Sequence, residues 1–256
     1  MIARSESWLR SQTDTPTAKM LDLWHQLCRQ VIGAPIEVIV ANRREYPFHG
    51  IDTAQGELNT AIPQTYQDRV VLALLLENTK KLNAVITTHE IGHWVLKLQG
   101  LKSMSNGDDP NGSIEISLNS MASHSALYVL QRSLGHEPQN EIDKRAGYNI
   151  AVLSRSTEPF DEKVRVSKAM VYADDLLHCS TSNKTGMQRL LSNKHPNINK
   201  MVNKILETSV RQDVAKIANI HSFCAEVIQT LELGQNWSEA NEVEKLRSDV
   251  RAGRIH

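Results

Sequence analysis

His89, Glu90 and His93 are the residues of this chain whose types and spacing can do chemistry. They form His-Glu-x-x-His inside the run Ala84 to Val95. On a helix, residues four apart share a face, so two imidazoles can be aimed at one point. Zinc takes neutral imidazole nitrogen at about 2.0–2.1 Å, and that spacing suits it. Glu90 lies beside the pair. It is placed to take a proton from a zinc-bound water and pass it to a leaving amine. The layout is that of a zinc-dependent hydrolase, most often a peptidase. The blander reading is a core helix with two satisfied histidines. Thr87, Ile91, Gly92, Trp94 and Val95 are all uncharged, which suits a core. Two imidazoles and a carboxyl buried together without a metal would be costly to satisfy, which favours the ion.

A catalytic zinc usually has three protein ligands and one open position. The extension with a third His just downstream is absent, because Trp94-Val95-Leu96-Lys97-Leu98-Gln99 follows. The third ligand must come from another element, and Glu115 and His124 are the candidates. At about 100° per residue, Asn119 lies roughly 40° from Glu115, and Ala122 roughly 20° to the other side. His124 lies roughly 180° away, so a straight helix cannot offer both residues to one ion. Small Ala122 on the Glu115 face would let two helices approach closely, and Glu115 is the preferred ligand on this reading.

His-Glu-Ile-Gly-His, a gap, and then Glu115-x-x-x-Asn119-x-x-Ala122 resembles the ImmA/IrrE-type zinc metallopeptidases, a minimal gluzincin family. In that family a Glu-x-x-Ala-Asn-x-Phe-Ala helix supplies the third ligand. The likeness covers residues 15–135. Leu118 stands where the family has Ala, Met121 where it has Phe, and Ser123-His124-Ser125-Ala126-Leu127 where Leu-Leu-Met-Pro is usual. The resemblance implies an intracellular, regulatory, site-specific peptidase with one Zn2+ per chain held by His89, His93 and Glu115.

The elements that must position these residues can be read from periodicity. Thr15-Pro16 predicts a helix start, with Met20, Leu21, Trp24, Leu27, Cys28 and Val31 at helical spacing and a stop at Gly33. Ile36 to Val40 reads as a short buried strand. Residues 42–56 read as irregular. Glu57 to Ile62 alternates like a half-buried strand that stops at Pro63. Val70 to Leu76 is a continuous apolar run, as expected of a central strand buried on both faces. Asn78 or Thr79 is the expected cap of the His-Glu-x-x-His helix. Its stripe of Leu82, Val85, Ile86, His89, His93 and Leu96 would carry ligands and core together, with Gly100 as the stop. Residues 105–112 read as a solvated loop. Ser113 then opens a helix that Gly135 closes.

Beyond Asn140 the chain reads as entirely helical, with segments at about 162–179, 185–193, 197–209, 212–233 and 241–252. Asn241 with Glu244 resembles a capping box. The stretch 154–161 is the best linker, which divides the chain into a metallopeptidase-like domain, 1–153, and a helical extension, 154–256. The expected fold is α+β: a small sheet packed on a zinc-binding helix pair, followed by a mostly helical lobe.

Composition narrows the class. The chain has 256 residues, 40% hydrophobic and 23% charged, with no net charge, so bulk charge selects neither nucleic acid nor membrane as partner. Cys28, Cys179 and Cys224 imply no disulfide framework, which fits a reducing cytoplasm. The N-terminus opens no apolar run, and no apolar stretch approaches membrane-spanning length. Lys184, Arg189, Lys194, Lys200 and Lys204 read as a solvated basic face. Asp174, Asp175, His178 and Cys179, with His221 and Cys224, are a weak candidate for a second metal site. His124, Tyr128 and Tyr148 are candidates for stabilising an oxyanion. The function expected is hydrolysis of peptide bonds in a protein substrate by zinc-bound water with Glu90 as base. The alternatives are a non-cleaving zinc-bound sensor or interaction module of a stress or phage-response system, and a zinc hydrolase of non-peptide amides.

Overall fold

The computed structural model describes residues 3–43, 59–108 and 112–253. In chain order it begins with α1 (Glu6–Gln12), α2 (Thr15–Leu27) and a π-turn (Cys28–Ile32). Strands β1 (Glu37–Asn42), β2 (Thr60–Tyr66) and β3 (Arg69–Leu76) lead to α3 (Ala84–Leu98), β4 (Met104–Asn106) and α4 (Ser113–Leu134). Then come α5 (Gln139–Arg155), α6 (Glu162–His178), α7 (Thr181–Lys194), α8 (Pro196–Arg211) and α9 (Ile217–Thr230). β5 (Trp237–Glu239) and α10 (Glu242–Ala252) end the described chain. The fold is α+β with a small sheet, as expected. Among the described residues, no helix is long and apolar enough to cross a membrane.

The contacts divide the chain into two units, Met1–Gln99 with Leu130–His136 and Asn241–His256, and Gly100–Val129 with Glu137–Ala240. The stretch 154–161 is the α5–α6 connection and lies inside the second unit.

In the first unit the sheet runs β1-β3-β2, with β1 parallel and β2 antiparallel to β3. The central place of β3 follows from its unbroken apolar run. Leu72, Leu74 and Leu76 turn to one face, against Val38 and Val40 and helix residues Met20, Leu21, Trp24, Ile91 and Val95. Val71, Ala73 and Leu75 turn to the other, with Ile39 and Ala41. β2 does not stop at Pro63 but runs through it, with Pro63 opposite Leu72. It is an edge strand, where a residue without an N–H is tolerated. The first residues of the predicted strand, Glu57 and Leu58, and most of the predicted irregular stretch 42–56 lie outside the described residues.

Two helix starts differ from expectation. Asp14, not Thr15, caps α2 by accepting from the Thr17 N–H. Asn83, not Asn78 or Thr79, caps α3, accepting from the N–H groups of Val85 and Ile86. Asn78 spends its side chain on the preceding turn, accepting from Lys80 and Lys81. Short polar side chains favour caps and turns alike, so two nearby asparagines do not say which is which. Gly33 and Gly135 end their helices in the left-handed conformation, as predicted.

The last helix belongs to the first unit. Leu246 of α10 is buried in the unit's core. Arg247 donates to the Val31 carbonyl, and Lys97 of α3 pairs with Glu242 at 2.6 Å. The expected capping box is not made, since Asn241 forms no side-chain cap bond. In the second unit β4 and β5 form a short antiparallel ribbon, and neither strand was foreseen: Ser105 and Asn106, read as part of a solvated loop, lie in β4. α5 to α9 follow the predicted helical periods, although the segment expected at 212–233 is helical over Ile217–Thr230.

Glu6 ties three elements of the first unit together. Its carboxylate accepts from Val38 N–H at 3.1 Å and Arg10 Nε at 2.9 Å, and lies 2.7 Å from His25 Nε2. Burial alone would raise the Glu6 carboxyl, but the bonds from His25, Val38 and Arg10 outweigh it and hold it below its ordinary value of 4.5. A carboxyl lowered on folding adds stability above its unfolded pKa and loses it as pH falls through the folded one. Unfolding midpoints in urea should therefore fall as pH drops below about 4.5, and Glu6→Gln should flatten that acid limb. An equally steep limb in the variant would remove Glu6 from the account.

Candidate metal centre

α3 turns one face into the core of the first unit. Ile91, Trp94, Val95 and Leu98 enter the core, and Trp94 Nε1 donates to the Ala61 carbonyl at 2.7 Å. His89, Glu90 and His93 are only half-buried. Of the predicted stripe, Leu96 is buried, Leu82 and Ile86 pack half-buried against the core, and Val85, His89 and His93 are half-buried. The core face fixes the helix while the His-Glu-x-x-His face stays within reach of water.

The His89 and His93 Nε2 atoms are 3.2 Å apart, with their rings nearly perpendicular. Two nitrogens on one tetrahedral zinc stand about 3.3 Å apart, given bonds of about 2.0–2.1 Å. The same separation serves a hydrogen bond from one ring to the other, so it does not by itself demand an ion.

His124 of α4 is buried at 2% exposure. Its Nδ1 lies 2.6 Å from Asp174 Oδ2, and its Nε2 lies 3.2 Å from Ser120 Oγ. Its ring stacks on Tyr128. Arg145 Nη2 reaches the same Asp174 oxygen at 2.7 Å, and Arg145 Nε donates to Asp175 at 2.7 Å. Asn149 donates to the other Asp175 oxygen at 2.6 Å. Burial, together with the nearby charges of Arg145 and His178, pushes the His124 pKa well below the ordinary imidazole value. The ring is neutral at neutral pH, the form a metal requires.

Among the described residues, the group of His, Cys, Asp and Glu side chains that can hold an ion is His89, His93 and His124, whose ligand atoms lie within 4.8 Å of one another. That spread is wider than the roughly 3.3 Å of a tetrahedral site.

Glu115 is not in that group. Its carboxylate accepts from the Asn106 N–H at 2.7 Å and from Ser105 Oγ at 3.4 Å. Asn119, one turn on, exchanges two 2.8 Å bonds with the Met104 backbone. The Glu115–Asn119 face of α4 thus holds β4. The helical-phase argument separated Glu115 from His124 as the structure does, but it could not see that β4 backbone occupies the Glu115 face.

The remaining candidates fall out as follows. Asp174, Asp175 and His178 form no second metal site with Cys179, His221 and Cys224 among the described residues. Asp174 and Asp175 serve His124 and Arg145 instead. Cys179 and Cys224 are buried, and burial raises both thiols, to about 11 and about 12. Tyr148 is 70% exposed, while Tyr128 is buried with its hydroxyl 3.3 Å from Arg145 Nη1. The tie between His124 and Asp174 was missed because fifty residues separate them and no local spacing announces it. Comparison with protein-family models, with curated proteins and with solved structures finds no match for this chain. The resemblance to the ImmA/IrrE peptidases therefore stands on the motif residues alone.

Because Glu115 holds β4, Glu115→Ala should speed amide exchange at Asn106 selectively. Exchange there at the parent rate, read by hydrogen–deuterium exchange, would contradict this role.

Proposed function

We propose that this chain is a zinc-dependent hydrolase of the peptidase type, with His89, His93 and His124 as protein ligands and Glu90 as the general base. The observation that carries the reading is the convergence of three imidazoles around a His-Glu-x-x-His helix. Three neutral nitrogen donors match a catalytic zinc, which keeps its fourth position open.

When bound, zinc polarises a carbonyl oxygen and lowers the pKa of the water it holds towards neutrality. The chain supplies the rest. Glu90 follows His89 directly and is half-buried. Its carboxylate takes the proton from the attacking water and returns it to the leaving amine. His89, His93 and His124 remain neutral throughout and only hold and orient. The substrate proposed is a protein, cleaved at a peptide bond in a reducing, cytoplasmic setting.

Zinc analysis of protein purified without chelator should give one ion per chain. His124→Ala should lose it, and Glu115→Ala should keep it. Glu90→Gln should keep both zinc and fold while slowing cleavage of a substrate trapped with it by a factor on the order of 10²–10⁴. A parent protein that holds no zinc even after zinc is added would sink the reading. Loss of zinc from Glu115→Ala but not from His124→Ala would restore Glu115 as the ligand. Zinc binding with no cleavage of any trapped protein would favour the non-cleaving sensor.

A further inference from the structure

We propose that Asp174 is the positioning residue of the third ligand: its carboxylate holds the His124 ring in the tautomer whose Nε2 lone pair is left for the ion. The inference rests on the reading of His124 as a ligand, and it goes further by assigning a second layer of the site to α5 and α6.

The geometry is specific. Asp174 Oδ2 stands 2.6 Å from His124 Nδ1, so a carboxylate there can only accept, and Nδ1 must carry the hydrogen. Nε2 then keeps its lone pair. Without an ion, the Ser120 hydroxyl, one turn earlier on α4, lies 3.2 Å from that nitrogen and can donate to it; an ion would take the place of that bond. Arg145 Nη1, which can only donate, also lies 3.5 Å from Nδ1, but the 2.6 Å contact with Asp174 is far shorter and sets the tautomer. A metal-ligating histidine typically gives its other N–H to a carboxylate, which fixes the ring and strengthens the ligand.

Asp174 is in turn fixed. Arg145 bridges it to Asp175, with 2.7 Å contacts to each, and Asn149 closes the chain at 2.6 Å on Asp175. Three helices meet here, α4 through His124, α5 through Arg145 and Asn149, and α6 through the two aspartates. Asp174 is 4% and Asp175 0% exposed. Stability does not explain such a cluster, because buried ion pairs can often be replaced by apolar side chains at no loss. Two carboxylates also face a single guanidinium, with the His178 ring 3.4 Å from Asp174.

The test compares zinc affinity, by competition with a chromogenic chelator, in the parent chain and in Asp174→Asn. The change keeps the side-chain size but removes the obligate acceptor. Zinc affinity should fall by roughly 10–100-fold, the usual cost of losing such an outer partner. A merely structural role would lower the melting temperature and leave the affinity of the folded protein unchanged, and that outcome overturns the proposal. Should Asp174→Asn fail to fold, the ring ¹⁵N shifts of His124 in the zinc-free parent decide it. Hydrogen on Nδ1 supports the proposal, and hydrogen on Nε2 overturns it. A parent chain that binds no zinc defeats the proposed function, while the ring shifts still report on the hold of Asp174 over His124.

Discussion

Everything proposed for this protein depends on how α3 divides its two sides. One side drives Ile91, Trp94, Val95 and Leu98 into the core beneath β3. The other presents His89, Glu90 and His93, half-buried. Side chains on a packed helix cannot rotate the helix to suit a ligand, so the spacing of the two imidazoles is set by backbone geometry before any ion arrives. The apolar face stabilises the helix, and the polar face can therefore be built for chemistry. Asn83 at the start and Gln99 at the end complete the helix ends without using any residue of the motif.

A second constraint acts on α4. His124 is buried, and a buried imidazole needs both its nitrogens satisfied and its charge suppressed. Asp174 and Ser120 meet the first requirement, and burial beside Arg145 and His178 meets the second. The same environment that would make a charged histidine costly leaves a neutral donor. The carboxylates around it keep the ring oriented. This is how the chain can prepare a nitrogen ligand from a residue whose spacing to the His-Glu-x-x-His motif is not diagnostic.

The local layers of this arrangement were legible in the sequence. The apolar run Val70 to Leu76 announced a central strand, and the helical periodicity after Asn140 announced most of the helices. The His-Glu-x-x-His motif announced its own face. Legibility failed where a residue's role depends on a distant backbone. Nothing local to Glu115 or Asn119 announces that they bond the N–H of Asn106 and the backbone of Met104. Pro63 looked like a strand end because its edge position could not be known before the strand order was. Asn78 and Asn83 are equally good caps on paper, and only the turn between them separates their roles. α10 reads as the tail of a helical lobe, but Leu246 completes the first core. In each case the missing information is a tertiary partner.

The most direct test of the account is the coordination sphere of the metal itself. X-ray absorption at the zinc edge of the loaded, substrate-free protein reads the number and kind of ligand atoms without any knowledge of the substrate. The account predicts a four-coordinate ion with three imidazole nitrogens at about 2.0–2.1 Å and one oxygen from water. A spectrum with two imidazoles and a carboxylate, or a protein that retains no ion to measure, would contradict it.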